Sequence, residues 1–481
     1  MAGGTIVWFR EDLRLCDNLA LTEACARNAP VIPVFIWSPE EEGRWPAGGA
    51  SKWWLHHSLD SLGRRLGKHR SRLILRRGPV LESLKQLLAE TGADYVFWNR
   101  LYTPHAIECD SRVKTCLAGE GVQAKSFPGN LLFEPSRISN SQGRPFQVFT
   151  PFWKHLGTLD DPPAPVAAPA FRNPGEWPDT LQLEDLELLP RIDWAGGLRE
   201  TWTPGELHSQ ELLESFVADG MSTYPDDRNH PNRPGTSRMS PHLHFGEISA
   251  RTIWHQVKAS IQNGTRKSAS AAGWSYLRQL AWREFSHHLL YHFPETSEEP
   301  LREEFSRFPW KSDKELLHAW QRGETGYPIV DAGMRELWHT GWMHNRVRMI
   351  VASFLVKHLL QPWQDGAQWF WDTLVDADLA NNTMGWQWTS GCGADAAPYF
   401  RVFNPIIQGE KFDSAGVYTR KWIPELKELP NKWLFKPWEA PGDVLEESGV
   451  QLGNTYPTPI VDHAEARSRA LASYEKIRKK A

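Results

Sequence analysis

The residues between positions 376 and 405 are suited to form the floor of a ligand pocket. Carboxylate, carboxamide and indole side chains crowd a predicted helix there, and glycines follow: Asp376, Asp378, Asn381, Asn382, Trp386, Trp388, Gly391 and Gly393. A helix that merely fills a core shows apolar residues at i, i+3, i+4 and i+7, and this one does not. So many buried polar groups are hard to satisfy without a ligand. The pattern therefore favours a pocket for a large, flat molecule with polar edges over a capped core helix.

A second group of residues is suited to bind phosphate. Thr236, Ser237 and Ser240 supply hydroxyl groups beside Gly235, at the start of a predicted helix. A helix start also presents main-chain N–H groups, which bind phosphate or pyrophosphate. The same residues would serve as a plain N-cap with a flexible lead-in, so both interpretations stay open at this point.

Another predicted helix, YLRQLAWREF, carries polar groups on one face. Tyr276, Gln279 and Arg283 fall at i, i+3 and i+7 of this segment, and Trp282 adjoins them. An amide, a guanidinium and an indole together make poor core material. They are good material for a ligand that has hydrogen-bonding edges and a π-face.

The segment GWMHNRVRM has a similar character. Asn345, Arg348 and Met349 share a helix face, and Arg346 lies one turn from Met349. Two arginines beside a carboxamide and a thioether fit a site for phosphates and bases. A solvated charged face is the alternative, but these charges lead directly into the apolar residues 349–356, which must be buried.

The chain contains 25 tryptophans, an unusual number. Tryptophan fills cores and donates a hydrogen bond through its single N–H. At this density some of them could instead stack on bases or carry electrons. Position alone predicts that Trp310 and Trp363 are core residues.

Length and composition restrict the class of protein. A chain of 481 residues predicts two or three domains. The formal net charge of -4 gives no global nucleic-acid signature, although 54 Lys and Arg residues could cluster locally. The longest apolar run is too short to span a membrane, and the N-terminus becomes charged too early for a secretory signal. Five cysteines without metal-ligand spacing argue against a disulfide framework, so we expect a reduced, cytoplasmic monomer that binds no metal.

The chain divides into three parts. In residues 1–130, helical patterns separate the predicted strands Thr5–Phe9, Val31–Trp37, Leu73–Arg76, Tyr95–Trp98 and Val122–Phe127. This alternation predicts an α/β domain with a parallel, Rossmann-like sheet. No GxGxxG motif follows the first strand, which argues against a dinucleotide bound to this sheet in the usual way. Proline-rich residues 131–204 predict an interdomain linker, and the helical periodicity of residues 205–481 predicts an all-α domain.

Several long motifs, in order along the chain, together resemble the photolyase/cryptochrome family. They are FREDLRLCDN, GTSRMSPHLHFGEIS, AWREF, GYPIVDAGMRELWHTGWMHNRVRM, DADLANNTMGWQW and DAAPYFRVFNPIIQGEKFD. Within the family, GWMHNRVRM of the fourth motif and NNTMGWQW of the fifth resemble enzymes that repair cyclobutane pyrimidine dimers (CPDs). The sequences of residues 37–59 and 282–294 resemble those of the class III subgroup, which is nearest to plant cryptochromes. The (6-4) repair branch would carry a second histidine where this chain has Asn345.

This resemblance implies FAD, bound in a U shape within the helical domain. Its phosphates would be held by Tyr224, Thr236, Ser237, Arg238, Met239 and Ser240. The rest of the cofactor would be lined by Tyr276, Gln279, Arg283, Trp342, Asn345, Arg348, Asp376 and Asp378. Asn382 would face flavin N5, where a neutral carboxamide tolerates the anionic reduced flavin that repair needs. Plant cryptochromes have an aspartate there, so Asn382 favours repair over signalling.

The implied reaction is light-driven electron transfer from the flavin to a dimer flipped out of the duplex. UV-damaged DNA would be contacted by Arg228, Gln279, Trp282, Asn345, Arg346, Met349 and Trp388. An electron relay between flavin and surface would consist of Trp386, Trp363 and Trp310, and this role replaces the core interpretation of the last two. We therefore expect a CPD photolyase. A blue-light receptor of cryptochrome type and a (6-4) photolyase are the alternatives.

Two further points follow from the resemblance. Many CPD photolyases have a glutamate where this chain has Gln279, so a charge and a transferable proton are missing. A (6-4) enzyme would also tolerate glutamine at this position. The resemblance to class III also implies a second chromophore, methenyltetrahydrofolate, near the α/β domain. It would act as an antenna that passes excitation to FAD. Residues 37–54, rich in Trp and Glu, are the expected place, although a surface loop that leads into a helix would have the same composition.

Overall fold

The computed structural model describes residues 4–263, 267–396 and 400–478. Five parallel strands form one sheet in the order β3-β2-β1-β4-β5. They are β1 Thr5–Phe9, β2 Val31–Trp37, β3 Ile74–Arg77, β4 Tyr95–Asn99 and β5 Gln123–Phe127. The predicted fold class is confirmed: β1 and β2 have the predicted ends, and the other three strands differ from the prediction by one residue at one or both ends.

Helices cover both faces of this sheet. They are α1 Leu19–Ala26, α2 Gly49–Lys68, α3 Val80–Thr91 and α4 Pro104–Gly119. Strands β1 and β2 are buried along their whole length, as expected for parallel strands between two helical layers. Edge strand β5 alternates between exposed and partly covered residues instead.

Residues 131–204 are bonded to the sheet and also pack on the helical domain. The main-chain N–H of Val31 donates to the carbonyl of Arg172 at 2.8 Å, and that of Leu181 donates to the carbonyl of Leu75 at 3.1 Å. The segment contains α5 Phe149–Leu156 and α6 Gly196–Thr201. Helix α5 buries its aromatic side chains against the helical domain. This connection therefore contributes core residues to both of its neighbours.

Beyond residue 204 the regular structure of the described chain is helical, apart from one isolated bridge between Leu452 and Tyr456. The helices are α7 Glu206–Ser215, α8 Tyr224–Asp227, α9 Ser240–His244, α10 Ala250–Asn263, α11 Lys267–His292, α12 Lys314–Arg322, α13 Pro328–Thr340, α14 Asn345–Ser353, α15 Trp363–Thr373, α16 Leu379–Ser390, α17 Pro405–Phe412, α18 Val417–Trp422, α19 Asn431–Leu434, α20 Gly442–Glu447 and α21 His463–Arg478. The largest core cluster is centred on α13 to α16. Among the residues described, no helix has the length and apolar character needed to cross a membrane.

Candidate active site

Helix α16 lies at the centre of the candidate site. Asp378 caps its N-terminus, where the carboxylate accepts a hydrogen bond from the main-chain N–H of Asn381 at 2.8 Å. Gly391 ends the helix in the left-handed conformation, with a φ of 93°. The two ends fix a short, rigid element whose polar and aromatic side chains include Asn382 and Trp386.

A cavity of about 670 Å³ opens beside α16. Eleven of the predicted site residues line it: Arg228, Gln279, Trp282, Asn345, Arg346, Arg348, Met349, Asp376, Asn382, Trp386 and Trp388. They come from segments far apart in sequence, the end of α8, α11, α14 and α16. The volume lies in the range of pockets that bind cofactors and drug-sized ligands.

The predicted phosphate-binding residues 236–240 pack against α8 and α11 and do not line this cavity. The hydroxyl of Tyr276 donates to Ser237 Oγ at 2.9 Å. The ring of Tyr224 lies against that of Tyr276, with their centroids 5.2 Å apart. Helix α9 begins at Ser240, which is where a helix start was predicted.

Arg238 places a positive charge in the protein interior. Its guanidinium lies 4.6 Å from the ring centroid of Trp202 and 4.7 Å from that of Trp342. Burial lowers the pKa of Arg238, against the opposing effect of Glu336 and Asp376. Its buried Nε finds no hydrogen-bond partner among the described residues. A partly buried guanidinium with a spare N–H is matched to an anion such as phosphate.

Asp376 is fixed at the wall of the cavity by an ion pair. Arg348 Nη2 donates to the two carboxylate oxygens of Asp376 at 2.8 and 3.0 Å. Arg348 is itself anchored, because its Nε donates to the carbonyl of Met343 at 2.7 Å. The carboxylate is therefore held in one orientation before any ligand arrives.

Asp378 has a different partner, His287 of α11. The Nε2 atom of His287 lies 3.3 Å from Asp378 Oδ2. Burial alone would raise the pKa of Asp378. The interaction with His287 and the charge of Arg283 outweigh this effect and hold the pKa of Asp378 well below its ordinary value. The α16 cap is therefore an ionised carboxylate in a buried setting.

Asn382 presents a neutral acceptor to the cavity. Its Nδ2 donates to the main-chain carbonyl of Ala367 at 3.0 Å. That bond orients the carboxamide and leaves Oδ1 to accept a hydrogen bond from a ligand N–H.

Gln279 and Trp282 form another part of the cavity wall. Arg228 Nη2 donates to Gln279 Oε1 at 3.0 Å. Because the oxygen is engaged, Gln279 presents its Nε2 donor, which makes only a long 3.4 Å contact with the carbonyl of Ser275. One face of the Trp282 indole is covered by the ring of Phe149, at a centroid separation of 3.5 Å.

Cationic side chains gather at the mouth of the cavity. Arg346 Nη2 donates to Asn229 Oδ1 at 2.7 Å. Burial, together with the charges of Arg228 and Arg401, lowers the pKa of Arg346. Arg346 and Arg401 also line an adjoining cavity of about 430 Å³, which includes Lys411. The surface is therefore locally basic, as phosphate-backbone binding requires, in a chain of net charge -4.

The three predicted relay tryptophans lie on consecutive packed elements. Trp386 of α16 is buried and lies against Gly366 of α15. Trp363 begins that same helix and is 1% exposed. Trp310 is half-buried, and the N–H of the next residue donates to the carbonyl of Leu360, three residues before Trp363. Trp386 and Trp363 are therefore both buried, and Trp310 is the one of the three that is partly exposed.

A second cavity, of about 160 Å³, lies at the carboxyl edge of the sheet. Residues that end or follow β1, β2 and β4 line it: Arg10, Glu11, Trp37, Ser38, Leu101 and Thr103. The strand order reverses between β1 and β4, and ligands of doubly wound sheets bind at such a point. From the predicted antenna stretch it also includes Glu41, Glu42, Trp45, Ala47 and Ser51. Trp53 and Trp54 face the core of the sheet domain instead.

Both cavities use the chain between residues 376 and 379. Asp376 and Ala377 line the larger one, and Ala377, Asp378 and Leu379 line the one at the sheet edge. One extended segment of main chain is therefore their common wall.

Known proteins resemble this chain along its whole length. The family model of DNA photolyase matches residues 5–170, and that of the FAD binding domain of DNA photolyase matches residues 276–476. A deoxyribodipyrimidine photo-lyase of Agrobacterium fabrum is 50% identical over 476 residues, which cover 98% of each chain. The chain belongs to the photolyase/cryptochrome family.

Other members of the photolyase/cryptochrome family are also similar. Cryptochrome-1 of Arabidopsis thaliana is 40% identical, over 97% of this chain and 69% of that protein. The fold matches the crystal structure of a bacterial class III photolyase from Agrobacterium tumefaciens with a TM-score of 0.95 and 48% identity. That match covers 100% of this chain and 98% of the other.

FAD fits the groups that this photolyase-family chain provides. The spare N–H of Arg238 suits a phosphate, and the free acceptor of Asn382 suits an N–H at the flavin edge. Several predicted cofactor residues do not line the larger cavity: Tyr224, residues 236–240, Tyr276, Arg283, Trp342 and Asp378. Of these, Arg283 Nη1 donates to the carbonyl of Asn130 at 3.1 Å, and Trp342 packs under Arg238.

Sequence reasoning missed two residues of this photolyase-type site. His287, the partner of Asp378, lies four residues after Arg283 on α11, so helical spacing signals it. Phe149, which covers Trp282, belongs to residues 131–204 and has no local signal.

Proposed function

We propose that this protein repairs CPDs in DNA by light-driven electron transfer, as a deoxyribodipyrimidine photo-lyase with FAD as its cofactor. One observation carries the proposal: the cavity brings the indoles of Trp282 and Trp388 beside the neutral carboxamide of Asn382, under a basic rim. Aromatic walls hold unstacked bases, at roughly 1–3 kcal/mol per base. A basic rim holds the phosphates on either side.

The chain's part in binding FAD is divided among three groups. Arg238 and the hydroxyls of Thr236, Ser237 and Ser240 hold the phosphates, and Tyr224, Met239 and Tyr276 support that segment from the core. Asp376, Asp378 and Arg348 fix the polar edge of the cofactor. Asn382 would offer its Oδ1 as an acceptor to the N5 position of the reduced flavin. FAD, when bound, supplies the photoexcited electron donor, so no protein acid or nucleophile is required.

The remaining residues recognise DNA. A damaged pair leaves the duplex at a lower free-energy cost than a sound one, because it is already poorly stacked. The Nε2 group of Gln279 donates to a carbonyl of the flipped dimer, and Asn345 and Met349 contact its other side. Arg228 and Arg346 hold the flanking phosphates.

Two buried tryptophans, Trp386 and Trp363, followed by the half-buried Trp310 support a role as electron relay. The half-buried Trp310 would exchange electrons with external reductants.

One assay tests the repair function against its alternatives. Purified protein is incubated with oligonucleotides that contain a CPD or a (6-4) photoproduct, under blue light and in the dark. We expect light-dependent restoration of the CPD substrate alone. Restoration of the (6-4) substrate would make the protein a (6-4) photolyase. Repair of neither substrate, with a flavin that still photoreduces, would make it a receptor of cryptochrome type.

The cavity at the sheet edge supports a methenyltetrahydrofolate antenna. Burial raises the pKa of Glu42 to about 7, and burial together with Asp378 and Glu42 raises that of Glu11 to about 8. Carboxyl groups in such a site are matched to the N–H donors of a pterin ring, and Trp37 and Trp45 provide flat surfaces for it.

The antenna is tested separately from repair. We expect Glu11→Ala to reduce the folate-to-FAD ratio in chromophores extracted from purified protein. Glu40→Ala is the matched control, because Glu40 is an exposed carboxylate in the same stretch and does not line the cavity. Equal folate-to-FAD ratios in the two variants would refute this antenna site. The proposed repair function does not depend on that result.

A further inference from the structure

The indole of Trp282 has a partner that belongs to neither main domain. Phe149 is the first residue of α5, in the connection between the domains. Its ring lies 3.5 Å from that of Trp282 between centroids, at an interplanar angle of 8°. Trp282 lines the larger cavity, so one face of its indole is covered and the side chain still reaches the cavity.

Phe149 is itself held rigidly. It is completely buried. Its ring packs against Phe285 at 5.8 Å and an angle of 70°, and Arg278 lies over it at 5.4 Å. Arg278, Trp282 and Phe285 fall at i, i+4 and i+7 of α11, so they form one helix face that Phe149 covers. A close-packed ring in this setting has no room to turn away from the indole.

A lone indole at a cavity wall would have several rotamers available. Binding a flipped dimer would then require that freedom to be lost, which weakens affinity. A parallel ring already in van der Waals contact removes the alternatives before the dimer arrives. Such preorganisation raises affinity without any contact between the supporting residue and the ligand.

We propose that Phe149 is a positioning residue for lesion recognition, which holds the Trp282 indole in the plane that receives the flipped dimer. This inference rests on the proposed repair function. It assigns helix α5, in the interdomain connection, a direct part in forming the substrate site.

Asp395 provides a second link between α5 and the cavity. It lines the larger cavity in the turn that follows α16. Burial raises the pKa of Asp395, and the main-chain N–H of Phe149 and the charge of Arg278 oppose that rise. The start of α5 therefore lies close to both Trp282 and the turn beyond Trp388, on two sides of the same opening.

The first test compares two phenylalanines of α5. Phe149→Leu removes the stacked ring. Phe152→Leu is the matched control, because Phe152 is equally aromatic and 2% exposed but packs on Phe285 and His288. Dissociation constants of the FAD-loaded proteins are measured in the dark for oligonucleotides with and without a CPD. We expect Phe149→Leu to weaken binding of the CPD oligonucleotide about 3- to 10-fold, from the typical value of an aromatic pair. Binding of undamaged DNA should not change.

A double-mutant cycle with Trp282→Ala separates positioning from general stability. If Phe149 acts through Trp282, Phe149→Leu has no further effect on CPD affinity in the Trp282→Ala background. Phe149→Tyr, which keeps the stacked ring, should restore wild-type affinity. If Phe149→Leu does not yield folded protein, Phe149→Met replaces it, since it nearly conserves volume without a ring.

Three outcomes would overturn the inference. They are wild-type CPD affinity in Phe149→Leu, an equal loss in Phe152→Leu, or a full further loss in the Trp282→Ala background. In each case light-dependent repair by the wild-type protein would still stand, so failure of this inference is distinguishable from failure of the proposed function.

Discussion

Gly366 packs so closely against the indole of Trp386 that a methyl group added at Gly366 would overlap the six-membered ring. The two residues join α15 to α16 at the point where the proposed relay begins. Because Gly366 has no side chain, the indole lies directly on the backbone of the helix that starts with Trp363. A short first step of the relay depends on this contact.

Gly366→Ala should therefore slow photoreduction of the flavin. The added methyl group displaces Trp386 or the helix, at a cost of about 1–3 kcal/mol in the free energy of unfolding. Repair by chemically reduced enzyme should be largely preserved. Gly63→Ala in α2 is the control, since that position faces open space and should gain up to about 1 kcal/mol from helix propensity. Photoreduction at the wild-type rate in Gly366→Ala would contradict the proposed contact.

Trp386→Phe tests the relay itself. A phenyl ring is much harder to oxidise than an indole, so photoreduction should be blocked, while repair by enzyme reduced beforehand with dithionite should stay close to wild type. Trp254→Phe, in a separate part of the helical domain, should leave both activities unchanged. Loss of repair by pre-reduced Trp386→Phe enzyme would mean that Trp386 does more than relay electrons.

Gln279→Glu should change repair efficiency more than binding. The new carboxylate would form an ion pair with Arg228 in place of the present 3.0 Å hydrogen bond. It would also supply the negative charge that Gln279 lacks, so we expect a higher quantum yield of CPD repair. We expect affinity for the CPD oligonucleotide to stay within about threefold, or less than 1 kcal/mol. An unchanged or lower quantum yield would show that the carboxamide is already optimal here.

Lys357 should make stability depend on pH. Its amine is buried and donates to the carbonyl of Arg401, a residue at the basic rim, at 2.5 Å. Burial lowers the pKa of Lys357 from 10.5 to about 7. Between these values the unfolded chain binds a proton that the folded chain does not, so this group makes folding more favourable as pH rises.

The measurement is urea-induced unfolding of wild type and Lys357→Met across this pH window. The difference in their free energies of unfolding should shift in favour of wild type by up to about 1.4 kcal/mol per pH unit. Other titrating groups cancel in the difference. A difference that does not vary with pH would mean that Lys357 keeps an ordinary pKa.

Local patterns predicted the strands, the helical domain and most of the cavity lining, because each depends on spacing within one element. Arg348 and Asp376 were both expected at the cofactor, and they form an ion pair at the wall of the larger cavity. The sequence did not reveal that Phe149 covers Trp282, since nothing local relates residues brought together by tertiary packing. The sequence also could not show that Arg283 bonds to Asn130. Helical spacing predicts the face on which a side chain lies, but it does not predict which residue that side chain contacts.

The predicted antenna stretch shows the same limit within a few residues. Trp45 faces the sheet-edge cavity, whereas Trp53 and Trp54 face the core. Composition favoured all three equally. The direction of each ring depends on where α2 begins, at Gly49, and on which of its faces meets the sheet.

The common wall formed by residues 376–379 sets how far apart two pigments would be. Resonance transfer of excitation weakens steeply with distance. Because the common wall is only one chain thick, it would keep an antenna and FAD close together. Two of these four residues, Asp376 and Asp378, would also hold the polar edge of the proposed cofactor. An insertion in this segment would therefore impair both excitation transfer from the antenna and electron donation by FAD. A change elsewhere in the lining of one cavity would affect only one of these two processes.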